Sequence, residues 1–162
     1  MSEDGGLPGA VRGVPEPGTW DPIFTLFTVD DDGFPHSFLL SRASLDAAGN
    51  TLRVVLASGS RTVGYLRRRP RATLAFIDGE ISYSCECEAS GFRDTGRGLT
   101  GVAMTVSAVH KDTLGIPLRP ASFWVTEAIA AREAWARSAA LLAEMAADAA
   151  GPGPGGSGSP GV

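Results

Sequence analysis

The chain carries a repeated pattern of short apolar segments separated by turn residues. In the clearest segment Ile81, Tyr83, Cys85 and Cys87 alternate with serine and glutamate, which is typical of a half-buried β-strand. The apolar segment that ends at Val29 is followed by Asp-Asp-Asp-Gly, a strong turn signal. The predicted strands cover residues 23–29, 36–41, 52–57, 71–78, 81–88 and 102–110. Their short spacing favours a mostly β protein built as an antiparallel barrel.

Two other segments have the pattern of helices. A short helix is predicted from Arg61 to Arg69, after the third predicted strand. Ser60 is a favourable N-cap for it, and Pro70 disfavours helical backbone in the residue before it. A long C-terminal helix is predicted over residues 126–147, because small and apolar side chains recur there at steps of three and four. The stripe that they form consists of Ala128, Ala131, Trp135, Ser138, Leu142 and Met145.

Both ends of the chain differ in composition from the middle. Residues 1–18 include five glycines and three prolines, and residues 151–162 consist of glycine, proline and serine with one valine. Such segments bury too little apolar surface to offset the entropy that ordering costs. We therefore expect a disordered arm over residues 1–18, one domain over residues 19–148 and a disordered tail over residues 149–162.

Composition and charge narrow the class of protein. The net charge of −4 argues against general nucleic-acid binding, and 43% hydrophobic residues are ordinary for a globular domain. No apolar run is long enough to span a membrane, and the acidic, glycine-rich start lacks the pattern of a signal peptide. Cys85 and Cys87 are expected to be small buried strand residues, because no further cysteine or nearby histidine completes a metal site. These features predict a soluble cytoplasmic protein with neither a nucleic-acid nor a membrane partner.

The segment that follows the third predicted strand has the composition of a phosphate site. A loop of small residues leads directly into a helix, whose first N–H groups are unpaired and whose dipole is positive at this end. Ser58, Ser60 and Thr62 add hydroxyl groups, and Arg61 can bind a phosphate through two parallel hydrogen bonds. The alternative is that Ser60 only caps a surface helix and that the arginines of this helix face solvent. In either case we expect the arginines at residues 67–69 to face solvent.

This segment and its neighbours together resemble a known family. Gly-Ser-Arg-Thr at residues 59–62 precedes Leu-Arg-Arg-Arg-Pro-Arg-Ala-Thr-Leu at residues 66–74. Upstream stand Thr-Val-Asp at residues 28–30 and Gly-x-Pro-His at residues 33–36. In this order the motifs resemble the pyridoxamine 5′-phosphate oxidase family and its FMN-binding split-barrel relatives. The resemblance implies a split β-barrel of about six antiparallel strands, with a short helix after the third strand and a long C-terminal helix.

The resemblance also implies a cofactor, its contacts and an assembly. In the family a Ser-Arg-Thr triplet holds the phosphate of FMN, which implies Ser60, Arg61 and Thr62 as contacts with Ser58 beside them. The strand that would run along the flavin ring, contacting it largely through its backbone, contains His36, Ser37, Phe38 and Leu39. The implied protein is a homodimer with the cofactor between its subunits. Its implied activity is an FMN-dependent oxidoreductase that passes hydride through the flavin to or from a small-molecule substrate.

The chain departs from the family pattern at two places. Family members that oxidise pyridoxamine phosphate end in Arg-Leu-His-x-Arg, whereas this chain has only His36 and His110 and an alanine-rich C-terminal segment. The vitamin B6 reaction itself is therefore not expected. Arg and Lys of those oxidases are replaced by His36 and Ser41, which removes one or two phosphate contacts. Three alternatives stay open: a deazaflavin coenzyme, haem bound by one of the histidines, and a flavin-binding protein without turnover.

Overall fold

The computed structural model of the chain describes residues 13–151. The strands are β1 (Trp20–Pro22), β2 (Phe24–Val29), β3 (Pro35–Leu40), β4 (Leu45–Ala48), β5 (Thr51–Ala57), β6 (Arg71–Asp78), β7 (Ile81–Asp94), β8 (Leu99–Thr113) and β9 (Ser122–Trp124). The helices are α1 (Arg61–Arg68), α2 (Glu127–Arg132) and α3 (Trp135–Ala150).

Seven strands form one antiparallel sheet in the order β3-β2-β6-β7-β8-β5-β4. Strands β1 and β9 pair separately, with Trp20 opposite Trp124. One apolar core takes buried side chains from every strand of the large sheet. One such residue from each strand, in sheet order, is Leu40, Leu26, Leu74, Cys85, Met104, Leu52 and Leu45. Both edge strands therefore face the same core, which requires the sheet to curl around it, and the predicted antiparallel barrel-like architecture is confirmed.

The predicted alternation of buried and exposed positions is present along the strands. In β7, Tyr83, Cys85 and Cys87 are buried, while Glu86 and Glu88 point outward. The pairing of β7 with β8 shifts register between Glu86 and Cys87, and such an irregularity bends a strand. The two thiols are buried in the core and form no disulfide, so the prediction that they are small buried strand residues is confirmed.

Helix α1 packs between two distant parts of the sheet. It contacts β2 and β5, which lie near opposite edges of the sheet. Its inward side presents Thr62, Val63 and Leu66, all of which are buried. The helix ends at Arg68, one residue before the predicted end at Arg69. Because only three residues separate the end of β5 from the start of α1, the first turn of α1 lies next to the end of β5.

The predicted long C-terminal helix is present as α3, but it does not extend as one element over residues 126–147. The structure has α2 over Glu127–Arg132 and α3 over Trp135–Ala150. Glu133 between them has extended backbone (φ −72°, ψ 143°). This break turns the Trp135 side chain into a small core with Val125. The stripe therefore continues along α3 only, where Ser138 and Leu142 are buried, while Ala128 and Ala131 on α2 are exposed.

The other predicted elements agree with the structure, with additions. All six predicted strands are present, and β7 and β8 are longer than expected. The short strands β1, β4 and β9 were not predicted, so the strand before α1 is the fifth in chain order.

Within the predicted N-terminal arm, the Gly18 N–H donates to the carbonyl of Val125, and Pro15 is buried. Residues 1–12 and 152–162 lie outside the described residues. No helix within residues 13–151 is long and apolar enough to cross a membrane.

Candidate functional site

The junction between β5 and α1 is built by a tight connection of small residues. The Ser58 N–H donates to the carbonyl of Gly98 at 2.9 Å, and the Ser60 N–H donates to that of Ala57 at 2.9 Å. Ser60 occupies the N-cap position with extended backbone, as predicted, but its side chain makes no capping hydrogen bond. Its Oγ is buried without a partner among residues 13–151. The junction therefore holds an unpaired hydroxyl beside the unpaired N–H groups of the first helical turn.

Arg61 differs from the other arginines of α1. Its exposed guanidinium forms no hydrogen bond or ion pair with any described residue, whereas those of residues 67–69 are all engaged. Those three lie at the surface, as predicted, but they bind neighbouring segments instead of facing solvent alone. Their partners are the Asp94 carboxylate for Arg67, the Asp31 carboxylate for Arg68 and backbone carbonyls of Asp30 and Asp31 for Arg69. Arg61 is thus the guanidinium that the junction leaves available.

Thr62 connects the junction to β3. The side chain is fully buried, and its Oγ1 lies 3.3 Å from Nε2 of His36. The His36 ring also lies edge-on to Tyr65, with 5.2 Å between ring centroids. The structure therefore brings together two of the predicted cofactor-binding residues, His36 and Thr62. The Thr62 hydroxyl contacts β3 rather than the surface that Arg61 occupies.

Ser58 belongs to a polar network behind the junction. Thr100 Oγ1 lies 2.6 Å from Oδ1 of Asp94 and 2.9 Å from Oγ of Ser58. A carboxylate only accepts hydrogen bonds, so the single Thr100 proton goes to Asp94 and the Ser58 hydroxyl donates to Thr100. The Thr100 hydrogen bond and the Arg67 guanidinium together lower the pKa of Asp94. Ser58 is near the junction as predicted, but its proton is already engaged in this network.

A pocket of about 540 Å³ lies beside β3 and the end of β5. Phe38 and Leu39 line it together with Ala57, while His36 and Ser37 do not. The α2–α3 break and Leu99 of β8, which pairs with Ala57, also line the pocket. The lining residues that the sequence did not predict as site residues include Ser41, Leu99, Glu133 and Trp135. The Ser41 Oγ is buried without a partner in the described part of the chain. Because these residues are far apart along the chain, no local motif could have predicted them.

The comparisons with solved structures place this architecture among known folds. The flavin reductase of styrene monooxygenase from Pseudomonas putida S12 is 16% identical, covers 67% of this chain and 94% of its own, and has a TM-score of 0.50. The nitrilotriacetate monooxygenase component B homologue from Mycobacterium thermoresistibile is 13% identical, covers 66% of this chain and 77% of its own, and has a TM-score of 0.53. At these identities the likeness concerns the fold, which is the split barrel of flavin reductase-like proteins.

The sequence comparison identifies the family. A search of the curated proteins found no match. The profile of the family described as pyridoxamine 5′-phosphate oxidase matches residues 20–112, which is more than half of the chain. The match begins at β1 and ends within β8, so it includes β3, the β5–α1 junction and the Asp94–Thr100 network. The chain therefore belongs to the pyridoxamine 5′-phosphate oxidase family.

Proposed function

We propose that the chain binds FMN, with the phosphate at the β5–α1 junction. The observation that carries this proposal is the pair of unused groups there, namely the Arg61 guanidinium and the buried Ser60 hydroxyl. A phosphate offers acceptors to both groups and to the first N–H groups of α1. A buried hydroxyl without a partner costs stability, and such a cost is typical of a site that a ligand completes. Ser58 and Thr62 support the loop from behind through Thr100 and His36.

The flavin ring would lie along β3, over the segment from His36 to Leu39. Phe38 and Leu39 line the pocket of about 540 Å³, a volume that is ordinary for small-molecule sites. The apolar walls of this pocket suit the faces of an aromatic ring. His36 would hold the start of β3 against α1 through Thr62 and Tyr65, so its role is to position the strand.

The activity that we propose is that of an FMN-dependent oxidoreductase acting on a small organic substrate. When bound, FMN supplies the hydride chemistry, while the protein supplies binding, orientation and electrostatics. The flavin reductase-like architecture and the family membership support this class of activity. Within the chain, the Asp94–Thr100–Ser58 hydrogen bonds hold the phosphate loop, and the α2–α3 break closes the pocket from the other side.

We further propose a homodimer. Strand β3 is an edge of the large sheet, paired only with β2 among the described strands. The hairpin that β2 and β3 form exposes Phe34 and Leu39, at 67% and 63% of their surfaces. A second copy that covers this edge would bury both side chains and would complete the wall of the pocket that Leu39 lines.

A comparison of FMN with riboflavin tests the phosphate site. Wild-type protein should bind FMN more tightly than riboflavin, which lacks the phosphate. Arg61→Ala should weaken FMN binding by about ten- to a hundredfold, as expected for a charge-assisted hydrogen bond of roughly 1.5–3 kcal/mol, with little change for riboflavin. Titration followed by flavin fluorescence measures both constants.

Arg68→Ala is the matched control, because it removes the same charge from the same helix but Arg68 already binds Asp31. Its effect on FMN affinity should be small and should disappear at high salt. Equal losses for Arg61→Ala and Arg68→Ala would mean that a diffuse basic surface holds the phosphate.

Two further measurements separate FMN from the other cofactors and an enzyme from a binding protein. The absorption spectrum of the protein as purified distinguishes FMN, a deazaflavin and haem. Neither candidate haem ligand, His36 or His110, lines the pocket beside β3. His36 contacts Thr62, and the exposed His110 lies 3.1 Å from Glu86. Reduction of the bound flavin by nicotinamide donors would support an oxidoreductase, whereas its absence with a range of donors would favour a flavin store or sensor.

A further inference from the structure

Ser41, the residue directly after β3, has a hydroxyl that the fold does not use. It stands at the N-cap of a single 3-10 turn (Arg42–Ser44), but its side chain makes no capping hydrogen bond. The backbone alone closes this turn, because the Ser41 carbonyl accepts from the Ser44 N–H at 3.0 Å. The Ser41 Oγ is buried and has no hydrogen-bond partner within residues 13–151. Such a group costs stability, so it marks a position that a bound molecule can complete.

Ser41 lies at a distance from the proposed phosphate site but lines the pocket that begins beside that site. At the start of β3, His36 contacts Thr62 in the first turn of α1. Ser41 follows about 17 Å farther along β3, because a strand rises about 3.4 Å per residue. Ser41 and Ala57, the last residue of β5, both line the pocket beside β3. The pocket therefore reaches from the end of β5, where the junction begins, to the end of β3.

The charged groups around Ser41 are paired with one another. Arg42, the next residue, forms an ion pair with the buried Asp21 at 2.7 Å. The charged residues that line the pocket within the described chain are Arg132 and Glu133, which lie 3.5 Å apart. Ser41 itself lacks the charge of the lysine that contacts phosphate at this position in the oxidases. The unused hydroxyl therefore suits a neutral hydrogen-bonding group and not an anion.

We propose that the Ser41 hydroxyl donates a hydrogen bond to a pyrimidine carbonyl of the flavin ring and thereby orients the ring in the pocket. The inference rests on the proposed function, since it takes the ring to lie beside β3. The ring has apolar faces, which Phe38 and Leu39 suit, and a polar pyrimidine edge that requires a donor. Because reduction adds negative charge to this edge, a donor there also raises the reduction potential of the bound flavin.

Titration of the full-length apo-protein with riboflavin and with FMN tests the proposal, because riboflavin has the same ring but no phosphate. Ser41→Ala should weaken the binding of both flavins by about fivefold, as expected of one neutral hydrogen bond. Arg61→Ala should weaken the binding of FMN alone. Ser41→Cys should follow Ser41→Ala, since a thiol has nearly the size of the hydroxyl but is a weak donor. The reduction potential of bound FMN should be more negative in Ser41→Ala than in wild type.

Ser44→Ala is the matched control, because Ser44 belongs to the same turn and lines the same pocket, but its hydroxyl is not a buried unpaired group. An equal loss of riboflavin affinity in Ser44→Ala overturns the proposal, since the conformation of the turn would then set the affinity. Riboflavin binding and a reduction potential that are unchanged in Ser41→Ala overturn the Ser41 contact and leave the phosphate site standing. A loss for FMN alone in Ser41→Ala overturns the assignment to the ring. A wild-type protein that binds neither flavin overturns both proposals.

Discussion

At the scale of single residues, the structure shows that similar side chains have different tasks because of their surroundings. The run of arginines on α1 is uniform in sequence, yet Arg68 is committed to Asp31 and Arg61 has no partner in the described chain. The pair of Arg68 and Asp31 is exposed, so it contributes no more than about 1 kcal/mol. Its use is to hold the β2–β3 turn against α1. Sequence spacing could not distinguish these arginines, because Asp31 precedes Arg68 by 37 residues and the strands β3, β4 and β5 lie between them.

The buried thiols predict a loss of stability in alkali. Burial raises the pKa of Cys85 to about 11 and that of Cys87 to about 12, with the neighbouring thiol adding to the latter. Because the folded pKa values lie above the unfolded one, the neutral thiols favour the fold fully below about pH 9. This contribution is lost as the pH rises through 11 and 12. Urea unfolding should therefore give a decreasing free energy of unfolding above pH 9.

The control for this prediction is a double variant, Cys85→Ala with Cys87→Ala. It should be less stable at pH 8 because it leaves cavities, but its free energy of unfolding should decline less between pH 9 and 11. An identical decline in both proteins would assign the alkaline sensitivity to other groups.

At the scale of elements, the N-termini of two helices differ in whether the side chain at the N-cap position makes a capping hydrogen bond. Thr126 caps α2, its Oγ1 accepting from the Ile129 N–H at 3.1 Å. Ser60 stands at the same position of α1, but its hydroxyl is buried and unpaired. Serine and threonine are both suited to capping, and the sequence predicted a cap at Ser60. Only the three-dimensional structure shows that the Ser60 side chain makes no capping hydrogen bond to α1.

This difference predicts opposite effects for two alanine substitutions. Thr126→Ala should lower stability by about 1 kcal/mol, the usual value of a side-chain cap. Ser60→Ala should leave the apo-protein at least as stable as wild type, because it removes an unpaired buried hydroxyl. It should also weaken FMN binding by about fivefold, as expected for a neutral hydrogen bond of about 1 kcal/mol. Thermal unfolding with and without FMN measures these effects, and a destabilised Ser60→Ala apo-protein would mean that the hydroxyl caps α1 in solution.

At the scale of the whole molecule, the local patterns were enough for the sheet but not for its closure. Strand β6 was predicted with its observed bounds, because alternation over eight residues is a local signal. Strands β1 and β9 have three residues each, and their pairing is decided by contacts between distant parts of the chain. The same applies to the pocket beside β3, whose walls come from β3, β5, β8 and the α2–α3 break.

The proposed dimer gives the prediction at this scale. Light scattering should find two chains per particle, and Leu39→Lys should shift the population to monomers, because it places a charge on an exposed edge strand that a second copy would cover. Flavin content should decrease along with the dimer. Phe27→Lys is a useful comparison, since this residue lies on the neighbouring strand β2 and is less exposed, at 36%. A wild-type monomer that holds one FMN per chain would contradict a site shared between subunits.

The pairing of β1 with β9 has a consequence for the order of events during synthesis. Strand β1 is among the first parts of the fold to leave the ribosome, yet its partner lies roughly 100 residues later. At about 5–20 residues per second, the interval is on the order of 5–20 s. During that time β2 to β8 can already pair, whereas Trp20 waits without Trp124. The two-stranded sheet and the helices beyond it therefore close last, after the β5–α1 junction has formed.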